Sequence, residues 1–464
     1  MHNDGGDLAS NHDVTAQLGH FDGVGRLRAG NDLSIALAGD YTNPAGNTLF
    51  ANGDFTVTLG GAFTNAAGAT LQSAGALTLT AHRLDNQAGA AINSATTTLT
   101  AATQSNEGRI EGDTVTLNAG DLTNTGTVIG NAITVHARTL TNGADLGTAT
   151  DNPPYQSGLI AAVTQLNLYV SGDLLNRDAL LYSLGDLTLA ADAAGTRSDS
   201  VTNRSGDIEA GGDIVIATNQ FTNQRRVLNT ETHVLTAEEQ AHNTQTTTVA
   251  ITGATDTDLY NDCVSLYVPH QRACRNNGDL NNNDPLQADG YRTTTDVITA
   301  ITRLTAASAE SRLLAGGSIT LHGSVLNDTS TIAAGNDLVI NGQDGNAGGG
   351  SVGTDTVQNI AFTPTATVQT TVTKAVSMKH KSGDFGGSWH GDPDRVFEQA
   401  VTDATLAAGS VPFLTLDPGA RLSARMSAGH ALDISAQAIR NTVVGADGQP
   451  VVGVGLGPNA AGAP

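Results

Sequence analysis

The stretch Gly112-Asp113-Thr114-Val115-Thr116-Leu117-Asn118-Ala119-Gly120-Asp121-Leu122-Thr123-Asn124-Thr125-Gly126-Thr127-Val128-Ile129-Gly130 decides the fold. Val115 and Leu117 alternate with Thr114, Thr116 and Asn118, the period-two pattern of a strand with one buried face. A second short strand carries Leu122 and Asn124, and a third carries an apolar residue just past a glycine. The alternating positions recur as Leu33, Ile35 and Leu37, as Phe55, Val57 and Leu59, as Leu77 and Leu79, and as Leu187 and Leu189. Working outward, the phrase apolar-x-Asn, or a near relative, returns at Asn43, Asn65, Asn86, Asn106, Asn124, Asn142, Asn176, Asn203 and Asn223, and once more at Asn327. The steps among the first nine are 22, 21, 20, 18, 18, 34, 27 and 20 residues.

A repeat of roughly 20 residues is the mark of a solenoid. Three short strands and three turns per repeat make one triangular coil. Such a coil cannot bury its own apolar face, so it stacks on its neighbours at a strand spacing of ~4.8 Å. The expected architecture is therefore all-β: a right-handed parallel β-helix, a triangular solenoid with two non-repeating excursions. The repeated asparagine is expected at a corner. There it tolerates a left-handed backbone, and its amide can hydrogen-bond along the stack. That role is structural, not catalytic.

The repeats are expected over residues 1–224, opening on a worn copy in which Phe21-Asp22-Gly23 stands where apolar-x-Asn is due. Two long units carry insertions, at about 143–157 and 191–200. Residues 225–313 lack the ladder and read as a non-repeating excursion of hairpins projecting from the rod, with a helical turn at Ala237–His242. The repeat resumes over 314–345. A Gly-rich link and second excursion follow over 346–420, with strands near 357–376 and a short helix over 394–407. A terminal β-helix-like unit at 421–445 and a flexible tail at 446–464 complete the chain.

Composition narrows the function. The chain has 22 basic and 45 acidic residues, a net charge of −23. That balance argues against a nucleic-acid partner, which needs a basic face to neutralise phosphates. No run of apolar residues is long enough for a transmembrane helix, and Met1-His2-Asn3-Asp4-Gly5-Gly6 lacks the charged and apolar regions of a signal peptide. The two cysteines, Cys263 and Cys274, do not have zinc-site spacing. They read either as a disulfide closing a small loop or as two free thiols.

Few motifs carry chemistry. Gly348 to Asp355 resembles a calcium-binding nonapeptide but occurs once. His390, Asp392 and Asp394 cluster beside Trp389 without a partner elsewhere. Acids such as Asp32, Asp186, Asp213 and Asp337 sit at turns, in Gly-Asp-Leu-like starts, rather than in a cleft. No catalytic residue, cofactor or metal is expected, and the protein reads as a non-enzyme. The competing reading is a carbohydrate-active β-helix enzyme, which requires carboxylates aligned in a groove. Tyr260 and Tyr267, in the first excursion, are the expected partner contacts, since loops on a rigid scaffold carry recognition.

Written out, the units Gly120-Asp121-Leu122-Thr123-Asn124, Gly158-Leu159-Ile160-Ala161-Ala162, Gly211-Gly212-Asp213-Ile214 and Ile332-Ala333-Ala334-Gly335-Asn336-Asp337-Leu338 resemble the haemagglutinin repeats of the filamentous haemagglutinin family. These are exoproteins of bacterial two-partner secretion and include contact-dependent growth inhibition effectors. The resemblance covers about 1–224 and 314–345, and more weakly 421–445. It implies a secreted, cell-surface filament, an outer-membrane secretion partner, and a receptor of protein or glycan nature. It also implies an alternative in which the chain is the stalk of a growth-inhibition toxin whose toxic domain lies outside this sequence. The export-domain and toxin-boundary motifs of the family do not occur here.

Overall fold

The computed structural model describes residues 1–150, 157–252, 287–342, 354–381, 389–391 and 395–451. The chain forms two compact units. The first comprises Met1–Asn229, Ala306–Phe362 and Leu422–Val443, and the second Thr230–Thr305, Thr363–Arg421 and Val444–Pro464.

The first unit is a parallel β-helix. Its strands pair with the strand one coil earlier and one coil later, in register, so like residues stack on like. One core column runs Leu33, Phe55, Leu77, Thr97, Val115, Ile133, Leu166, Leu187, Ile214, Ile319 and Leu338. A second column lies two residues on, from Ile35 and Val57 to Leu321 and Ile340. A third runs through Tyr41, Phe63, Leu84, Gln104, Leu122 and Leu140. The last runs through Leu27, Leu49, Leu71, Ile92, Ile110 and Val128. Nearly all these side chains are fully buried. Each contributes about 1.5–3 kcal/mol by leaving water. No coil could bury them alone, so the array is stabilised through its neighbours.

Two polar residues interrupt the apolar columns on one coil, and both find partners. Thr97 shares a 2.7 Å hydrogen bond with Ser94. Gln104 donates to the carbonyls of Leu99 and Asn118, at 3.1 and 2.8 Å. The worn first copy has a definite packing role. Phe21 stacks on Tyr41 with ring centroids 5.1 Å apart, and Tyr41 meets Phe63 at 6.0 Å. Burial raises the Tyr41 phenol pKa well above its ordinary value, opposed by a hydrogen bond donated by Asn47.

A tight corner at Gly323 shows how closely the coils approach. Its φ is +130°, and a Cβ there would collide with the Thr218 carbonyl oxygen of the preceding coil. Gly323→Ala combines a forbidden backbone with a backbone clash. It should lower stability by more than about 1 kcal/mol, measured by urea unfolding. A variant as stable as the parent would contradict this geometry.

The second unit is an antiparallel sheet. Gln287–Ala307 pairs on one side with Thr244–Thr252 and on the other with Thr365–Lys381. Thr365–Lys381 in turn pairs with Arg395–Ala407 and Trp389–Gly391. A separate core gathers Leu235, Ile298, Ile301, Ala366, Val368, Ala408 and Val411. The expected turn at Ala237–His242 is an α-helix, entered through a capping box between Thr236 and Glu239. Asn243 caps its far end, donating to the Glu239 carbonyl and accepting from the Thr415 amide at 2.7 Å.

Three expectations are corrected by the pairing. Arg395–Ala407 is a strand, not a helix. Its Glu, Gln and Ala residues favour a helix, but a full-length antiparallel partner overrides that weak preference. Thr356–Phe362, placed in the second excursion, belongs to the β-helix and pairs in parallel with Ile319–Asp328. The return from the first excursion likewise begins at Ala306, before the expected boundary.

Candidate functional surfaces

The asparagines form one continuous hydrogen-bonded column. Asn43 donates Nδ2 to Asn65 Oδ1 at 2.8 Å, Asn65 to Asn86 at 2.8 Å, and Asn86 to Asn106 at 2.7 Å. The same bond continues through Asn124, Asn142, Asn176, Asn203 and Asn223. Asn223 then donates to Asn327 at 2.8 Å, although 104 residues separate them in the chain. Members from Asn43 to Asn327 are buried.

The second amide proton is also used. Asn43 donates to the Thr70 carbonyl, Asn65 to Ala91 and Asn124 to Leu159. Only an NH2 group can donate to those carbonyls, so the orientation of each amide is determined. All the amides point the same way along the stack, and chains of aligned hydrogen bonds polarise one another favourably. The column has a definite start. Gly23, two residues past Phe21, has no amide to offer. Asn47 reaches back instead and donates to Asn43 Oδ1 at 3.0 Å, while its own oxygen accepts from the Gly25 amide.

The expected reason for asparagine needs revising. Among the described residues, the non-glycine residues with positive φ are Asp178, Ser205, Thr329 and Asn341, and none belongs to the column. The column residues lie in extended backbone at strand ends, and the requirement is for the stacked amide.

Sequence reasoning missed Asn359. It accepts from Asn327 at 2.8 Å and donates to Asn441 at 3.0 Å, carrying the column across the second interruption. The phrase Val357-Gln358-Asn359 has the right form, but it runs directly into the Thr/Val alternation that follows.

Charge is spent on anchoring chain that leaves and rejoins the coils. Arg226 lies 2.7 Å from Asp178, with both side chains 2% exposed. The Arg226 guanidinium also donates to the carbonyls of Gly147 and Ala149, holding the insertion that follows Asn142. Arg197, in the smaller insertion, makes a two-pronged bond to Asp355 at 3.2 and 2.9 Å. Arg225 donates to the Thr329 and Ser308 carbonyls, and burial lowers its pKa. Arg312 bonds Asp207 and approaches Glu209, whose carboxyl is raised by burial and by the neighbouring Asp207 charge. Burial likewise raises Asp328 and, with the Arg197 charge, lowers His322. Neither insertion had suggested an ion pair, because the partners are distant in sequence.

The described surface offers shallow grooves. One, of about 300 Å³, is lined by Asn93, Glu111, Asp113 and Asn131 among others. Its two carboxylates are occupied: Glu111 accepts from Arg109 at 2.7 Å, which lowers its pKa, and Asp113 accepts from Asn131 at 3.0 Å. Among the described residues, no three His, Cys, Asp or Glu side chains gather as a metal site. No helix among the described residues is long and apolar enough to cross a membrane. In the second unit Val234, Val249, Tyr291 and Val401 are exposed apolar side chains. Tyr260, Tyr267, Cys263 and Cys274 lie outside the described residues, as do Asp392 and Asp394.

The haemagglutinin repeat matches the chain at residues 2–69, 64–126 and 314–363, the coils just described. These matched spans carry the haemagglutinin repeat of the filamentous haemagglutinin family. Neither a curated protein nor a solved structure gives a significant match to the chain. The third matched span runs through Asn327 and Asn359, so the haemagglutinin repeats resume on the far side of the first excursion and carry the asparagine column with them. The family is one of structural adhesins, whose members are secreted or lie at the cell surface.

Proposed function

We propose that this chain is a shaft segment of a secreted bacterial adhesin or effector, an elongated scaffold without catalytic activity that presents binding regions. The asparagine column carries the reading: it is conserved in geometry through every coil from Asn43 to Asn441, including across the interruption between Asn223 and Asn327. A scaffold that keeps its register while chain leaves and returns is suited to displaying other segments. The occupied carboxylates of the Glu111 groove fit this reading better than a hydrolytic cleft. The haemagglutinin repeats support a reading in which the chain is exported through an outer-membrane partner and binds a cell-surface protein or glycan. Recognition falls to the interrupting segments, with the exposed Tyr291 and Val249 as contacts among the described residues.

Beads coated with the full chain test this. They should adhere to some members of a panel of cells above albumin-coated beads, and Tyr291→Asp should reduce adhesion by about tenfold, or ~1.4 kcal/mol. Absence of adhesion across the panel would overturn the adhesin reading. Release of reducing sugar from polysaccharides by the same protein would overturn the non-enzymatic one.

A further inference from the structure

One outer face of the β-helix differs from the others. The strands Phe55–Leu59, Ala76–Asn86 and Thr96–Asn106 turn Thr56 and Thr58, Thr78 and Thr80, and Thr98 and Thr100 outward between their buried leucines, valines and phenylalanine. The pairing sets Thr56 beside Thr78 beside Thr98, and Thr58 beside Thr80 beside Thr100. The first column continues through Thr116 and Thr134. No register shift interrupts it over these coils. Over the first three of these coils the result is a two-dimensional grid, with hydroxyls about 4.8 Å apart between coils and about 6.6 Å apart along each strand; beyond them the second column holds Asn118 and His136.

Three observations set this grid apart from an ordinary solvated strand face. Its hydroxyls are uncommitted: among the described residues, Thr56, Thr58, Thr78, Thr80, Thr98 and Thr116 make no side-chain hydrogen bond to protein, while Thr100 accepts one from Asn118 at 3.2 Å. It is uncharged: neither column holds Asp, Glu, Lys or Arg anywhere from Thr15 to Thr188. The other outer faces of the same coils carry Arg83 and Asp85, and Arg109 and Glu111. It is also free of aromatic rings from Thr56 to Thr116; the second column reaches its first ring at His136, on the strand of Thr134, which lies 5.2 Å from Tyr169. Strand propensity favours threonine outward, but it favours valine, tyrosine and tryptophan equally. A protein of net charge −23 would gain solubility from charges here and has none.

A flat, periodic, uncharged surface is matched by a periodic ligand. A dissolved small molecule calls for a concave site with a few convergent polar groups. A crystalline polysaccharide calls for aromatic faces on which sugar rings stack. A grid of hydroxyls, each beside its own methyl group, instead holds water in fixed positions, and its spacing of about 4.8 Å between coils lies near the shorter oxygen repeat on the prism faces of hexagonal ice. We propose that the threonine face from Thr56 to Thr134 binds ice. This goes beyond the scaffold reading and does not depend on it.

The test uses the full chain, fluorescently labelled, in a growing ice hemisphere, with ice recrystallisation followed in parallel. The parent should be taken up into the ice and slow recrystallisation, whereas labelled albumin is excluded. Thr78→Tyr and Thr98→Tyr place bulky rings in the grid, and each should reduce uptake by about tenfold. Thr123→Tyr, on another outer face, should behave as the parent. Matching far-UV circular dichroism and melting would separate loss of binding from loss of fold, and Thr78→Ser supplies a milder second variant expected to retain partial uptake. Exclusion of the parent from ice overturns the proposal. So does uptake unaffected by the tyrosine variants, or retention on microcrystalline cellulose that the same variants abolish while ice uptake is absent.

Discussion

Replacing Asn124 by leucine should divide the unfolding of the β-helix into two steps. Asn124 Oδ1 accepts from Asn106, and its Nδ2 donates to Asn142 at 2.7 Å and to the Leu159 carbonyl at 3.2 Å. Leucine fits the volume but abandons all three partners in a buried position. Each orphaned group costs roughly 1–3 kcal/mol, so a total of about 3–5 kcal/mol is expected. In a stack whose stability is a sum of coils and interfaces, a weak interface uncouples the parts on either side. Asn124→Asp should be worse at neutral pH, because its carboxylate faces the Asn142 and Leu159 oxygens. With its acidic form favoured in the folded state, that variant should gain stability as pH falls through the carboxylate range. Urea melts read by hydrogen exchange along the chain would show both effects. A single transition within about 1 kcal/mol of the parent would refute the interpretation of the column.

The second large effect is expected at Arg226. With Asp178 it forms an ion pair that solvent scarcely reaches. Truncating one partner leaves the other buried and uncompensated, a loss of about 3–5 kcal/mol. Arg226→Met should therefore destabilise strongly, and the double variant with Asp178→Leu should recover most of the loss. Because Arg226 also holds the Gly147 and Ala149 carbonyls, the insertion after Asn142 should become the first site of limited proteolysis in Arg226→Met. Additive single and double losses would show that the pair is not coupled.

Much of this architecture is legible in the sequence because it is local. The Val115/Leu117 alternation and the Asn124 phrase are each set within one coil, and repetition makes them unmistakable. What was not legible depends on chain returning from far away. Arg197 finds Asp355 across 158 residues, and Arg226 finds Asp178 around a turn that no motif announces. Arg395–Ala407 has the composition of a helix and becomes a strand only because Thr365–Lys381 offers an edge. Asn359 was hidden for a different reason: the Gly-rich stretch of sequence after Gly342 separates it from the Asn336-Asp337-Leu338 start of its own coil, so one correct phrase stood alone. The threonine face was present in every repeat but looked like a by-product of alternation until the register aligned its members.

The column of asparagines also works as an index. The bond from Asn142 to Asn176 is 2.9 Å across 34 residues, and that from Asn223 to Asn327 is 2.8 Å across 104, scarcely different from the 2.7 Å bond across 18 between Asn124 and Asn142. The length of chain between two marks is thus free, while its alignment is not. A gene with this layout can accept or discard whole segments after any mark without solving its fold afresh. Coils are addresses, insertions are cargo, and the same property would let foreign segments be installed at chosen intervals along the stack.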